Sequence, residues 1–285
     1  MRLSRWMAAA IIVAAPSAAS AETLFGLTSA NQIVTFDSAT PGSIQSLRTI
    51  TGLNGATLVG LDLRPANNTL YSMSTTGNIY SLTLGGGNYV ANLLFNINVP
   101  LASGGRYGFD FNPAADRLRV VTDFDGNLRI NVDTGITTVD GPISAPGAEA
   151  LTGVAYTNNV AGATSTAIYA VDAGGNQLLT SAAPNSGVYT EVGTISGLDF
   201  GALNITGFDI SGRTGTAYFN IGSGLYTLNL GTAAATSLGT IGTGPLIGLT
   251  AAAVPEPATW AMMIGGIGAI GGTMRRRSKA RVAFA

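Results

Sequence analysis

Three aspartates stand at one place in a recurring pattern: Asp62 in LVGLDL, Asp110 in RYGFDF and Asp209 in ITGFDI, each two residues after a glycine. Paired carboxylates are the working groups of glycoside hydrolysis, so an enzymatic reading makes these three the acids of a glycan hydrolase or lyase. Recurrence favours a structural role instead, in which each Asp accepts hydrogen bonds from backbone amides of its own repeat. A catalytic group is needed once, not in every repeat, and the other two repeats carry Ala155 and Thr250 there. Ion binding is the third use such a set could have.

A second group of oxygen ligands lies in DFDGNLRINVDT, where Asp123, Asp125, Asn127, Asn131 and Asp133 invite comparison with a calcium loop. The spacing is wrong for an EF-hand: Gly126 stands at position 4 and Thr134 at position 12, where Gly at 6 and Glu at 12 are needed. Asp125-Gly126-Asn127 reads more simply as a hairpin turn, with the Asp-Gly dipeptide suited to type I′. No metal is therefore expected at Asp123, Asp125 and Asn127.

Arg106, Arg117, Arg119 and Arg129 crowd the same stretch. Pairing with Asp110, Asp116, Asp123 and Asp125 is the simpler explanation, and an anionic-glycan site is the alternative. Between Glu22 and Glu256 the chain has seven Arg, no Lys and all fifteen acidic residues, a net charge of −8. Such a body repels phosphate backbones, which argues against nucleic-acid binding. The chain has no Cys and no His, which removes disulfides, the usual zinc ligands, thiol nucleophiles and Ser-His triads. GSGL at 222–225 is not a nucleophile elbow, and no cofactor motif is present.

The elements that carry these residues are short strands. Gly60, Gly108, Gly153, Gly207 and Gly248 mark an opening strand that returns after 48, 45, 54 and 41 residues. Each opening strand is followed by a second (TLYSMS, DRLRVVT), a third after a Gly-rich turn (IYSLTL, LRINVD) and a more variable fourth. Units of four antiparallel strands at this period are the mark of propeller blades. Residues 23–50 hold three strands without an opening strand, and LIGLTA at 246–251 is an opening strand without a blade. Joining the two completes a fifth blade and removes two exposed sheet edges. The expected fold is all-β, a five-bladed β-propeller closed by its N- and C-terminal strands. An open β-sandwich is the rival, and it accounts for neither the period nor the matching incomplete ends.

Two segments flank this body. Residues 1–21 combine Arg2 and Arg5, the apolar run WMAAAIIVAA and Ala19-Ser20-Ala21, a signal peptide cut after Ala21. Residues 254–285 combine Pro255-Glu256-Pro257, an 18-residue uncharged run to Met274 and the basic Arg275-Arg276-Arg277. That run is a marginal membrane span whose basic end stays inside. The propeller-like domain is residues 22–253.

Pro255, Glu256, Pro257, Trp260 and Ala261, with the apolar run and basic tail in order, resemble the PEP-CTERM sorting signal. The resemblance implies an exported protein of a Gram-negative, exopolysaccharide-producing bacterium, anchored transiently in the membrane and processed by an exosortase. LFGLTSANQIVTFD, YGFDFNPAADRLRVV and LTGVAYTNN resemble the bacterial family of domain of unknown function 4394, which brings no catalytic residues with it. The expectation is a cell-surface or matrix module, non-catalytic and associated with exopolysaccharide. The glycan hydrolase or lyase is the alternative.

Overall fold

The structure, a computed structural model, describes residues 21–102, 105–145, 147, 151–196, 198 and 205–252. Ala19, Pro255, Glu256, Pro257, Trp260, Ala261, Arg275, Arg276 and Arg277 lie outside the described residues. No helix among the described residues is long and apolar enough to cross a membrane.

Among the described residues, twenty strands fall into four-stranded antiparallel groups. The first begins with β1 (Thr23–Thr28), β2 (Gln32–Asp37) and β3 (Ile44–Thr51). The second is β4 (Leu58–Arg64), β5 (Thr69–Ser74), β6 (Asn78–Gly85) and β7 (Asn88–Asn96). The third is β8 (Tyr107–Asn112), β9 (Arg117–Thr122), β10 (Asn127–Ile130) and β11 (Thr137–Val139). The fourth is β12 (Leu151–Tyr156), β13 (Ile168–Asp172), β14 (Gln177–Ala183) and β15 (Val188–Thr194). The fifth is β16 (Ile205–Ile210), β17 (Ala217–Ile221), β18 (Gly224–Leu228) and β19 (Ala235–Thr240). The last strand, β20 (Leu246–Ala251), pairs with β1 and completes the first unit, as the unmatched chain ends required.

The opening strands form a ring: β4 packs on β8, β8 on β12, β12 on β16, β16 on β20 and β20 back on β4. The glycines permit this closeness. A Cβ on Gly108 would stand 2.8 Å from the Val154 nitrogen, and one on Gly207 would stand 2.6 Å from the Leu249 nitrogen. Both distances lie inside van der Waals contact with rigid backbone, so a side chain here would push the ring apart.

Apolar side chains fill the spaces between successive units. Tyr71, Met73 and Ile79 of the second unit meet Phe109, Leu118 and Ile130 of the third in one cluster. Comparable clusters join the remaining neighbours. Outer strands alternate instead between covered and wet positions, as in β3 and β7, which is the pattern of an antiparallel sheet facing water on one side. One feature had no sequence signal: β3 and β7 pair in parallel through Ile50–Tyr89 and Thr51–Val90, merging two units into one eight-stranded sheet.

Candidate functional site

In an extended strand, residues two apart share a face. Gly60 and Asp62 therefore both face β8, and the close approach allowed by the glycine brings the carboxylate to the neighbour's backbone. Asp62 Oδ2 accepts the Phe111 N–H at 2.8 Å, Asp110 Oδ2 accepts the Tyr156 N–H at 2.8 Å, and Asp209 Oδ2 accepts the Ala251 N–H at 2.6 Å. Thr250 continues the series, its Oγ1 accepting the Leu63 N–H at 3.3 Å. Where the series lacks a polar side chain, at Ala155, the orphaned Ile210 N–H turns to Asp209 Oδ1 of its own strand at 2.6 Å. The aspartates do bond backbone amides, but chiefly those of the next unit, not of their own repeat. The cause is that each opening strand is an inner sheet edge whose outward N–H groups have no strand partner.

This arrangement gathers negative charge on the axis. Asp62, Asp110 and Asp209 each place one carboxylate oxygen within 4.8 Å of the others, and all three are at most 1% exposed. The Thr250 hydroxyl lies 2.8 Å from Asp62 Oδ1 and 3.0 Å from Asp209 Oδ2. It has one proton to give to two acceptors. Asp110 Oδ1 is buried and meets no amide or hydroxyl donor among the described residues, while the Asp110 carboxyl lies within hydrogen-bonding reach of the Asp62 carboxyl. Burial raises the Asp62 carboxyl well above its ordinary range, with Asp209 adding to the effect. Asp110 is raised by burial, then by Asp62 and Asp209. Asp209 is raised by burial, against the pull of its backbone bonds, with a further push from Glu22. The axial space between the opening strands, lined by the five repeat glycines and not by the aspartates themselves, measures about 10 Å³.

The basic cluster of the third unit is organised differently. The Arg119 guanidinium, buried at 2% exposure, donates from Nε to Tyr156 Oη at 2.9 Å, from Nη1 to Asp140 Oδ2 at 3.0 Å and to Asn127 Oδ1, and from Nη2 to Asn185 Oδ1 at 2.6 Å. Arg129 holds the same Asp140 through Nε and Nη2 at 3.1 and 3.0 Å. Arg117 donates only to the backbone carbonyls of Ala115 and Asp116. These three arginines, with Asn112, Tyr156 and Asn185, border a cavity of about 150 Å³.

The expected partners of these arginines need correction. Only Arg106 and Asp123 pair as the sequence suggested, loosely, at 3.9 Å. Asp116 belongs to Arg64 of the second unit, which also grips Asp133, while Asp110 and Asp125 form no ion pair among the described residues. The reason is geometric: neighbouring units bring distant charges closer than adjacent strands do. Arg64 and Asp140 were not anticipated, and no local pattern marks either of them.

Asp123, Asp125 and Asn127 do not converge on a common point. Asp123 Oδ1 accepts the Arg106 N–H at 3.0 Å, and Asn127 is consumed by Arg119 and by the carbonyls of Gly141 and Pro184. The turn is also not the two-residue type expected. Asp125 takes the left-handed conformation, φ 61°, and the Thr122 hydroxyl closes the loop by accepting the Phe124 and Gly126 N–H groups.

Four-stranded units around a ring of inner strands make this an all-β protein of propeller-like architecture. The chain belongs to the family described as Domain of unknown function (DUF4394), which matches residues 32–250. Residues 253–278 match the PEP-CTERM protein-sorting motif, which implies export, a transient membrane anchor and processing by an exosortase. No curated protein matches the chain significantly. A chain of the nidogen/laminin complex is similar in fold, with a TM-score of 0.50 and 12% identity over 82% of this chain and 98% of its own. A structural-genomics protein of unknown function from Bacteroides thetaiotaomicron is similar too, with a TM-score of 0.51 and 12% identity over 83% of this chain and 68% of its own.

Proposed function

We propose that this is a non-catalytic binding module of the cell surface or extracellular matrix, a five-bladed propeller that holds an acidic exopolysaccharide after an exosortase releases it near Pro255–Pro257. The observation that carries the reading is the cavity of the third unit. There Arg117, Arg119 and Arg129 line one cavity, and a single carboxylate, Asp140, is shared between Arg119 and Arg129, on a body whose net charge is otherwise strongly negative. Planar guanidinium groups with uncommitted N–H donors suit the carboxylates of uronic acids. Among the described residues, Arg117 gives none of its donors to a carboxylate, and the Nη1 group of Arg129 makes no hydrogen bond.

The hydrolase alternative loses its main support in the enclosure of Asp62, Asp110 and Asp209. Their separation is near that of a retaining glycosidase, but about 10 Å³ of axial space admits no sugar ring. Retention of the secreted protein on polygalacturonate, compared with a neutral glucan, tests the reading. Binding should be selective, weaken as salt rises, and fall at least tenfold in the double variant R117A/R129A. Equal retention on both polymers, or an unaffected double variant, would remove this cavity from the function.

A further inference from the structure

We propose that Asp62, Asp110 and Asp209, together with Thr250, form a binding site for one calcium ion on the axis of the ring.

Three buried carboxylates meet here with no cationic side chain among their bonding partners in the described residues. Neutral donors satisfy part of them: backbone N–H groups take Asp62 Oδ2, Asp110 Oδ2 and Asp209 Oδ2. Two further observations point to a missing positive centre. Asp110 Oδ1 is fully buried without an amide or hydroxyl donor among the described residues, and one Thr250 hydroxyl proton serves two carboxylate oxygens at 2.8 and 3.0 Å. An acceptor-rich centre of this kind is expensive to bury unless a cation or extra protons join it.

Calcium suits this set among the cations. Oxygens no more than 4.8 Å from one another lie at most about 2.8 Å from a common centre, which brings them within reach of the ~2.3–2.6 Å of calcium–oxygen bonds. Three carboxylates with one hydroxyl meet calcium's flexible coordination more readily than the near-ideal octahedron magnesium demands. The ligands are hard oxygens, and Thr250 Oγ1 supplies a fourth. The axial space of about 10 Å³ further along the ring is the size of one water. Export places the protein where calcium is plentiful enough for modest affinity to suffice.

The test uses the secreted protein, dialysed against chelator and then returned to calcium or magnesium. We expect one calcium per chain by elemental mass spectrometry. At a hundredfold excess over the dissociation constant, the thermal midpoint should rise by roughly 5–10 °C, with a smaller response to magnesium. Asp110→Asn keeps an acceptor for the Tyr156 N–H but removes a ligand charge, and it should lose both the bound calcium and the thermal response. Asp62→Asn serves the same purpose should the first variant fold poorly. A wild-type protein that takes up no calcium and shows an unchanged midpoint would overturn the proposal and leave protons as the neutralising agent. So would variants that respond to calcium as the wild type does.

Discussion

Two regions of this molecule bury charge, and they handle it in opposite ways. In the third unit, Arg119 and Asp140 lie 3.0 Å apart with side chains 2% and 5% exposed, and Arg129 joins them at the rim. On the axis, three carboxylates are buried as deeply, and among the described residues their donors are neutral amides and one hydroxyl, with the carboxyls of Asp62 and Asp110 meeting each other. The difference follows from where each set sits. Long arginine side chains at strand flanks can cross from unit to unit. The axis is built from glycines and short side chains, and the ring leaves no width for a Lys or Arg to enter. A charge that finds its partner within the chain is committed to stability. One that does not is available to something outside it.

The comparison breaks most visibly at Arg119. Replacing it with Met removes the buried one of the two arginines on Asp140, leaving only Arg129 at the rim, and takes the donor from Asn127 Oδ1, Asn185 Oδ1 and the Tyr156 hydroxyl. Breaking a buried pair from one side costs about 3–5 kcal/mol, so denaturant unfolding should show a loss of that order. A neutral R119M would mean that the pair in the third unit contributes no more than an apolar replacement, and the contrast with the axis would fail.

The axial set should behave in the reverse sense. With calcium chelated, Asp62, Asp110 and Asp209 hold protons in the folded chain at pH values where the unfolded chain has released them, because burial raises all three above their ordinary 3.8. The unfolded state then binds fewer protons, so stability falls as pH rises above about 4. The groups that bear on this centre are those three, with Glu22 beside Asp209 and Tyr156 beside Asp110; β12 and β20 contribute uncharged Ala155 and Thr250. Unfolding measured in chelator from pH 4 to pH 8 should trace a decline. Asp110→Asn should flatten it and gain about 1–4 kcal/mol at neutral pH, as replacement of uncompensated buried charge often does. A wild-type protein most stable at pH 8 in chelator would show that the carboxylates are not strained by their burial.

Much of this was legible in the sequence, and the limits have physical causes. The Gly-x-Asp spacing could be read because both residues serve one face of one strand, a local requirement that recurs with the repeat. The strand order and the pairing of LIGLTA with the N-terminal strands could be read for the same reason. The recipients of the aspartate hydrogen bonds could not. Phe111 lies 49 residues from Asp62, and no pattern marks an N–H left over by an inner sheet edge. Arg64 went unnoticed because its partners Asp116 and Asp133 are 52 and 69 residues away, and a single Arg ending an apolar strand reads as a solvated terminus. The assignment of nearby acids to the arginines failed for that reason: proximity in sequence stood in for proximity between units. At Asp125-Gly126 the dipeptide marked the turn but not which residue would be left-handed, since Asp tolerates that conformation as well.

Asp133 gives the finest test of whether depth, and not mere proximity, separates the charges that matter. Arg64 is 5% exposed; it donates from Nε to Asp116 Oδ1 at 2.8 Å and from Nη1 to Asp133 Oδ1 at 2.7 Å. Its guanidinium carbon also lies 5.9 and 6.0 Å from the ring centroids of Tyr71 and Phe111. The Asp133 side chain, however, is 62% exposed against 36% for Asp116. Arg64 lowers the Asp133 carboxyl, so its contribution is present above the ordinary carboxylate range and is lost as pH falls through the lowered value, opposite in sign to the axial set. Solvent screens most of that contribution, and exposed pairs are typically worth about 0.2–1 kcal/mol. Asp133→Ala should therefore cost no more than that, with the loss shrinking further at high salt, because Asp116 and the two rings still hold the guanidinium. A loss approaching that of R119M would mean that exposure does not rank the ion pairs of this protein, and that Arg64 depends on both carboxylates to lock the second unit to the third.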